Sequence, residues 1–206
     1  MGGVITLAPL LAAVLKPVIV PLYKMVGADP AMFATTLLAN DMGGYPLAKQ
    51  MAENPAIGRF AGIILGAMMG PTIVFSIPVA LGIIEKKDHE ALAKGILIGM
   101  VTIPFGCVAG GLIMLSAEFT MGMMLVNIIP VVVFSALIAT GLKLIPEKMI
   151  KGFTYFGKGV VTVITIGLAM GIIEALSPFR FFAEGSPMAL APLSDSIEII
   201  GSIAIV

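Results

Sequence analysis

Three stretches of this chain contain no Asp, Glu, Lys or Arg: Phe60–Ile84 (25 residues), Gly95–Ala117 (23) and Phe119–Leu142 (24). A helix that crosses a bilayer takes about 20 residues, so each is long enough. A closed barrel is the other architecture that can span, and it alternates polar with apolar residues. Runs such as IPVVVFSALIATGL do not alternate, so these segments are helices. Charged residues make up only 12% of the 206, against roughly 25% in a soluble domain, and the chain reads as an integral membrane protein in the lipid bilayer. Net charge is zero and no basic run occurs, which excludes nucleic acid as a partner. Cys107 stands alone in an apolar run, and His89, in EKKDHE, reads as a solvated loop residue. Neither a disulfide framework nor a metal site follows from such a set, and no cofactor is expected.

Two further segments are weaker. Val4–Val26 contains Lys16-Pro17 and Lys24, and Gly159–Ile173 is short unless Phe153–Lys158 extends it. The expected fold is therefore all-α, a single polytopic helical bundle over 1–206. About six to seven membrane segments are expected, several broken by Gly or Pro and one re-entrant. Lysines cluster in the loops 85–94 (Lys86, Lys87, Lys94) and 143–158 (Lys143, Lys148, Lys151, Lys158). The positive-inside rule makes those loops cytoplasmic, with Lys49 and Arg59 on the opposite side. Gly62, Gly66 and Gly70 recur every four residues, as do the pairs Gly95/Gly99, Gly106/Gly110 and Gly167/Gly171. Such spacing puts small residues on one face, where neighbouring backbones approach closely. Met1-Gly2-Gly3 enters apolar sequence without a basic leader, and GSIAIV stops inside an apolar run. The chain reads as an internal fragment of a longer membrane protein, truncated at both ends.

The first broken segment follows Asp29-Pro30, a helix start with Asp29 as N-cap. The helix it opens, Ala31–Ala39, would be about 15 Å long, half of a ~30 Å hydrocarbon core. It then meets Asn40-Asp41-Met42-Gly43-Gly44, and Pro46 opens a second short helix toward Gln50. Two half-helices meeting at a polar, glycine-rich break describe a re-entrant segment, and in secondary transporters such breaks form the substrate site. Two readings of Asp41 stand on spacing alone. In one it lies at membrane depth, where an ionised carboxylate costs about 2.5–3.5 kcal/mol and a cation or proton must offset the cost. In the other it sits at the interface in an Asx turn. Pro71 and Pro78 interrupt Phe60–Ile84, with Thr72 and Ser76 available to the freed carbonyls or to a ligand; Thr102, Pro104 and Gly106 repeat the arrangement. Asn127, near mid-membrane, suits an interhelical hydrogen bond or a substrate contact equally. Glu174 lies at a membrane edge, and Glu198 opens the last apolar run.

The segments LLANDMGGYPLAKQM, ILGAMMGPTIVFSIPVALGIIE, VTIPFGCVAGGLIM, VNIIPVVV, LKLIPEKMIKGF and SIEIIGSI, in that order, closely resemble the EutH family of ethanolamine-utilisation membrane proteins. The resemblance runs along essentially the whole chain, is most specific from Gly66 to Glu85 and weakest from Glu174 to Ser194. It implies a bacterial inner (plasma) membrane permease that carries ethanolamine into the cell for its catabolism. It brings no ligand assignments, so the candidate site rests on chemistry. Ethanolamine carries a primary amine like that of lysine, whose reference pKa is about 10.4, and is cationic at neutral pH. Asp41 can serve as counter-ion, with Asn40, Thr72, Ser76, Thr102 and Asn127 as neutral partners and Gly43 and Gly44 lining the path.

Three other functions compete with that one. The same scaffold can carry another small amine or amino acid. An intramembrane enzyme would need a nucleophile–base pair or metal cluster that one His and one Cys do not supply. A non-transporting membrane partner would leave amine uptake indifferent to Asp41. A homo-oligomer is compatible with all of them.

Overall fold

The computed structural model describes residues 2–72, 76, 80 and 83–194. Among them all regular structure is helical. Helix α1 (Gly2–Lys24) is followed by two short helices, α2 (Ala31–Leu37) and α3 (Gly44–Met51), separated by a 3-10 turn at Asn40–Met42. Helix α4 (Pro55–Phe60) continues through a π-helical turn, Ala61–Leu65, into α5 (Gly66–Pro71). Then come α6 (His89–Ile113), α7 (Met121–Leu144) and α8 (Pro146–Leu176).

Helices Gly3–Lys24, Met121–Leu144 and Pro146–Leu176 are long and apolar enough to cross a membrane. The first and last are the two segments that read as weak. Helix α1 runs unbroken past Lys16 although it contains Pro9, Pro17 and Pro21. Helix α8 takes in Phe153–Lys158 and reaches 31 residues. Its start also corrects the expected loop 143–158: the connection narrows to a sharp turn at Ile145, and Lys148, Lys151 and Lys158 lie on the helix. Pro146 at the first helical position and Glu147 in the first turn favour that early start. The loop 85–94 shrinks likewise, since a 3-10 turn at Lys86–Asp88 leads straight into α6. The expected span Phe60–Ile84 is described as far as Thr72 and at Ser76, Ala80, Ile83 and Ile84; Pro78 lies outside the described residues, as does Glu198.

Helices α6 and α7 form a hairpin closed by reciprocal backbone bonds between Ser116 and Phe119 (3.0 and 3.3 Å). Thr120 caps α7 by accepting from the Met123 N–H. The α4–α5 rod packs on α6 through glycines: a Cβ on Gly110 would stand 2.8 Å from Ile64, and one on Gly106 2.8 Å from Met68. Gly3 and Gly167 bring α1 against the backbone of α8, whereas Gly95 and Gly99 face open space. Methionine fills the interior, with Met32, Met51, Met69, Met100 and Met124 wholly buried, as a flexible thioether suits irregular gaps.

Candidate functional site

Helices α2 and α3 form a short hairpin whose two ends are held by one side chain. Asp29 is 6% exposed. Its Oδ1 accepts the Ala31 N–H (2.8 Å), which starts α2, and its Oδ2 accepts the N–H groups of Glu53 (3.0 Å) and Asn54 (2.8 Å), where α3 has returned. The expectation of Asp29 as N-cap with Pro30 as the first helical residue is corrected by one position: Pro30 is the N-cap, α2 begins at Ala31, and Asp29 reaches the first helical N–H from the residue before the cap. Burial raises the Asp29 carboxyl above its ordinary value, and the three N–H donors oppose that rise. Asn54 caps α4 in turn by accepting from Ala56 (2.8 Å). Asn127 of α7 completes the mouth: its Oδ1 accepts the Asp29 N–H (2.7 Å) and its Nδ2 donates to the Met123 carbonyl (2.8 Å). Its oxygen thus ties α7 to the start of the hairpin while its amide N–H back-bonds within α7.

From that mouth α2 descends for seven residues, about 10 Å at 1.5 Å per residue, before the chain opens. Leu38 and Ala39 are extended, Asn40–Met42 make one 3-10 turn, and Gly43 takes φ +93°, a conformation that costs glycine little. The Ala39 carbonyl accepts from Met42 (3.1 Å) and Gly44 (2.9 Å). Asn40 Oδ1 accepts the Asp41 N–H (2.8 Å). The irregular backbone is thereby partly satisfied within the turn.

Protein covers the tip on three sides. The glycine stripe of the α4–α5 rod is seated against it. A Cβ on Gly62 would collide with the Tyr45 ring, and one on Gly70 would fall on the Leu38 carbonyl. A Cβ on Gly66 would stand 3.1 Å from both Thr35 and Asn40. Val4 of α1 lies against Gly43, and Val160 of α8 is buried with Ala39. Packed protein therefore surrounds the irregular backbone of the tip.

Of the residues singled out from sequence, the structure gathers Asn40, Asp41, Gly43 and Gly44 at the tip. Asn40 and Asp41 are half-buried, and no hydrogen bond or ion pair to the Asp41 carboxylate is found among the described residues. Thr72 follows on the rod, half-buried, its hydroxyl donating to the Met68 carbonyl (2.8 Å). Thr102 is exposed and donates to Gly99 (2.8 Å); Ser76 is exposed as well. Asn127 belongs to the mouth. A cavity of about 350 Å³ opens beside the hairpin, lined by Val4, Leu11, Leu38, Leu47 and Val160 among other apolar side chains. It suits hydrocarbon rather than an amine. Sequence reasoning missed Thr35, which is wholly buried with no partner for its hydroxyl among the described residues. Two threonines inside an apolar helix, AMFATTL, give no local sign of which one lacks an acceptor. Among the described residues no group of His, Cys, Asp or Glu is placed to hold a metal ion.

The model of the family described as "Ethanolamine utilisation protein, EutH" matches residues 1–206. The chain belongs to the EutH family. It is 56% identical over 206 residues to the probable ethanolamine permease EutH of Listeria monocytogenes, covering all of this chain and 53% of that protein. To the probable ethanolamine permease EutH of Salmonella typhimurium it is 51% identical over 222 residues, covering all of this chain and 54% of the other. The uncharacterized protein YxeR of Bacillus subtilis is 52% identical over 177 residues, 86% of this chain and 47% of its own. This EutH-family chain therefore spans about half the length of the curated relatives it matches. No solved structure matches it.

Proposed function

We propose that this chain forms the substrate-handling part of a permease that carries ethanolamine across the bacterial inner membrane into the cell. One observation supports the reading above the rest: a short hairpin enclosed by helices presents at its tip a carboxylate with no partner among the described residues. Relatives at 51–56% identity are named probable ethanolamine permeases, and a small hydroxyl-bearing cation is what such a tip would accommodate. Asp41 takes the ammonium. Asn40, whose Oδ1 is engaged by its neighbour, offers its Nδ2 to the hydroxyl, and Gly43 and Gly44 shape the turn that presents both groups. Thr72, Ser76 and Thr102 line the path beyond the tip, and Asn127 acts through the mouth that it holds.

In the same reading the protein is a transporter rather than an enzyme and works without a cofactor. Its bundle has six to seven membrane segments, and the lysine-rich ends that meet at the turns around Lys86–Asp88 and Ile145 face the cytoplasm. Assembly as a homo-oligomer fits it. The test is uptake of radiolabelled ethanolamine into cells with and without the full-length parent, at acidic external pH where diffusion of the neutral amine is least. Saturable uptake that unlabelled ethanolamine competes away is expected. Equal uptake in both cell lines would overturn the reading.

A further inference from the structure

Thr35 stands out within the hairpin. Its residue is 0% exposed, and its Oγ1 has no hydrogen-bond partner among the described residues. The neighbouring Thr36, on the same short helix, donates to the Met32 carbonyl at 2.7 Å, the ordinary resort of a helical threonine. Thr35 makes no such bond. A hydroxyl left unpaired in an apolar interior carries a desolvation cost that an alanine or valine would avoid. Its location ties that cost to the tip. The Thr35 methyl and the Asn40 Cβ stand at the same 3.1 Å from the point where a Gly66 Cβ would lie, and Asn40 precedes Asp41 in the chain.

We propose that the Thr35 hydroxyl is a specificity-determining ligand of the transport site, pairing with the alcohol group of a small amino alcohol whose ammonium is held by Asp41. The inference rests on the permease reading above and adds to it the residue that tells an amino alcohol from a plain amine. A threonine hydroxyl donates and accepts at once, which matches an alcohol O–H; a carboxylate matches the ammonium instead. Because the hydroxyl is covered, the ligand reaches it when the hairpin shifts on the glycine face of the α4–α5 rod.

The variants follow from the orphaned state. Thr35→Val keeps the volume and removes only the hydroxyl, so a residue without a ligand role would leave transport unchanged and raise thermal stability. The experiment measures KM for ethanolamine and the preference for ethanolamine over ethylamine in the full-length parent, Thr35→Val and Thr35→Ser, together with thermal unfolding of each in detergent. The expected result is a KM for ethanolamine raised about tenfold in Thr35→Val, the worth of one hydrogen bond, with the preference over ethylamine lost and stability undiminished. Thr35→Ser should keep the preference. Comparing Thr35→Ser with Thr35→Ala isolates the hydroxyl a second time, since both lose the methyl. Unchanged KM and preference in Thr35→Val and Thr35→Ala would overturn the inference while leaving ethanolamine transport intact. Absence of uptake by the unmodified parent would overturn both readings together.

Discussion

At the mouth of the hairpin, Asp29 is buried with its oxygens engaged by three backbone N–H groups. At the tip, Asp41 is half-buried and without a partner among the described residues. Both are aspartates beside a helix start in one short hairpin, and their surroundings separate their roles. A carboxylate whose lone pairs are taken by the backbone fixes the fold and has nothing left to offer a ligand. A carboxylate left open in an apolar bundle carries a cost, and proteins retain such groups at sites of transport. The mouth holds the fold, and the tip is where we propose that the substrate is handled.

The sharpest way to break that comparison is to remove the mouth. Asp29→Ala would leave the N–H groups of Ala31, Glu53 and Asn54 without an acceptor, each at roughly 1–3 kcal/mol. That sum is comparable with the whole stability of a typical domain, so the variant should fail to accumulate as folded protein in membranes, as followed by detergent-solubilised size-exclusion chromatography. Gly70→Ala comes next, because its Cβ would fall on the Leu38 carbonyl, and backbone cannot swing aside as a side chain can. A loss of about 1–3 kcal/mol is expected in thermal unfolding, together with loss of transport. Gly99→Ala is its control: nothing lies within 4 Å, and helix propensity should raise stability by up to about 1 kcal/mol. Asn127→Ala removes the acceptor of the Asp29 N–H and should cost roughly 1–3 kcal/mol, lowering thermal stability with the KM of any surviving protein unchanged. The smallest effect belongs to Glu118→Gln. It breaks an exposed ion pair with Arg59 (3.0 Å), worth under about 1 kcal/mol, and should move the unfolding midpoint barely at all.

The break itself was legible because its chemistry is local. Asp29-Pro30, Asn40-Asp41, Gly43-Gly44 and Pro46 each carry a backbone preference that does not depend on distant partners, and together they spell two half-helices around a turn. The glycine stripe Gly62, Gly66, Gly70 was legible as a packing face; what it packs against was not. Partner choice across the fold leaves no local mark. Asp29 meets Asn127 at a separation of 98 residues, and nothing in either neighbourhood names the other. The unpartnered hydroxyl of Thr35 is invisible for the same reason, being defined by what fails to reach it. The errors over α1 and α8 have a different source. Hydropathy discounts a segment for each Lys or Pro, whereas α8 extends through Lys151 and Lys158 and α1 through Pro9, Pro17 and Pro21. Long basic side chains can run along a helix surface with their charge carried outward, and neighbouring groups can satisfy a carbonyl that proline frees.

The most direct test of the division between mouth and tip is ethanolamine uptake by Asp41→Asn in the full-length parent, at matched membrane levels and acidic external pH. The account predicts a variant that folds and accumulates like the parent and transports little or nothing. Uptake equal to that of the parent would contradict it and return Asp41 to the role of a turn residue.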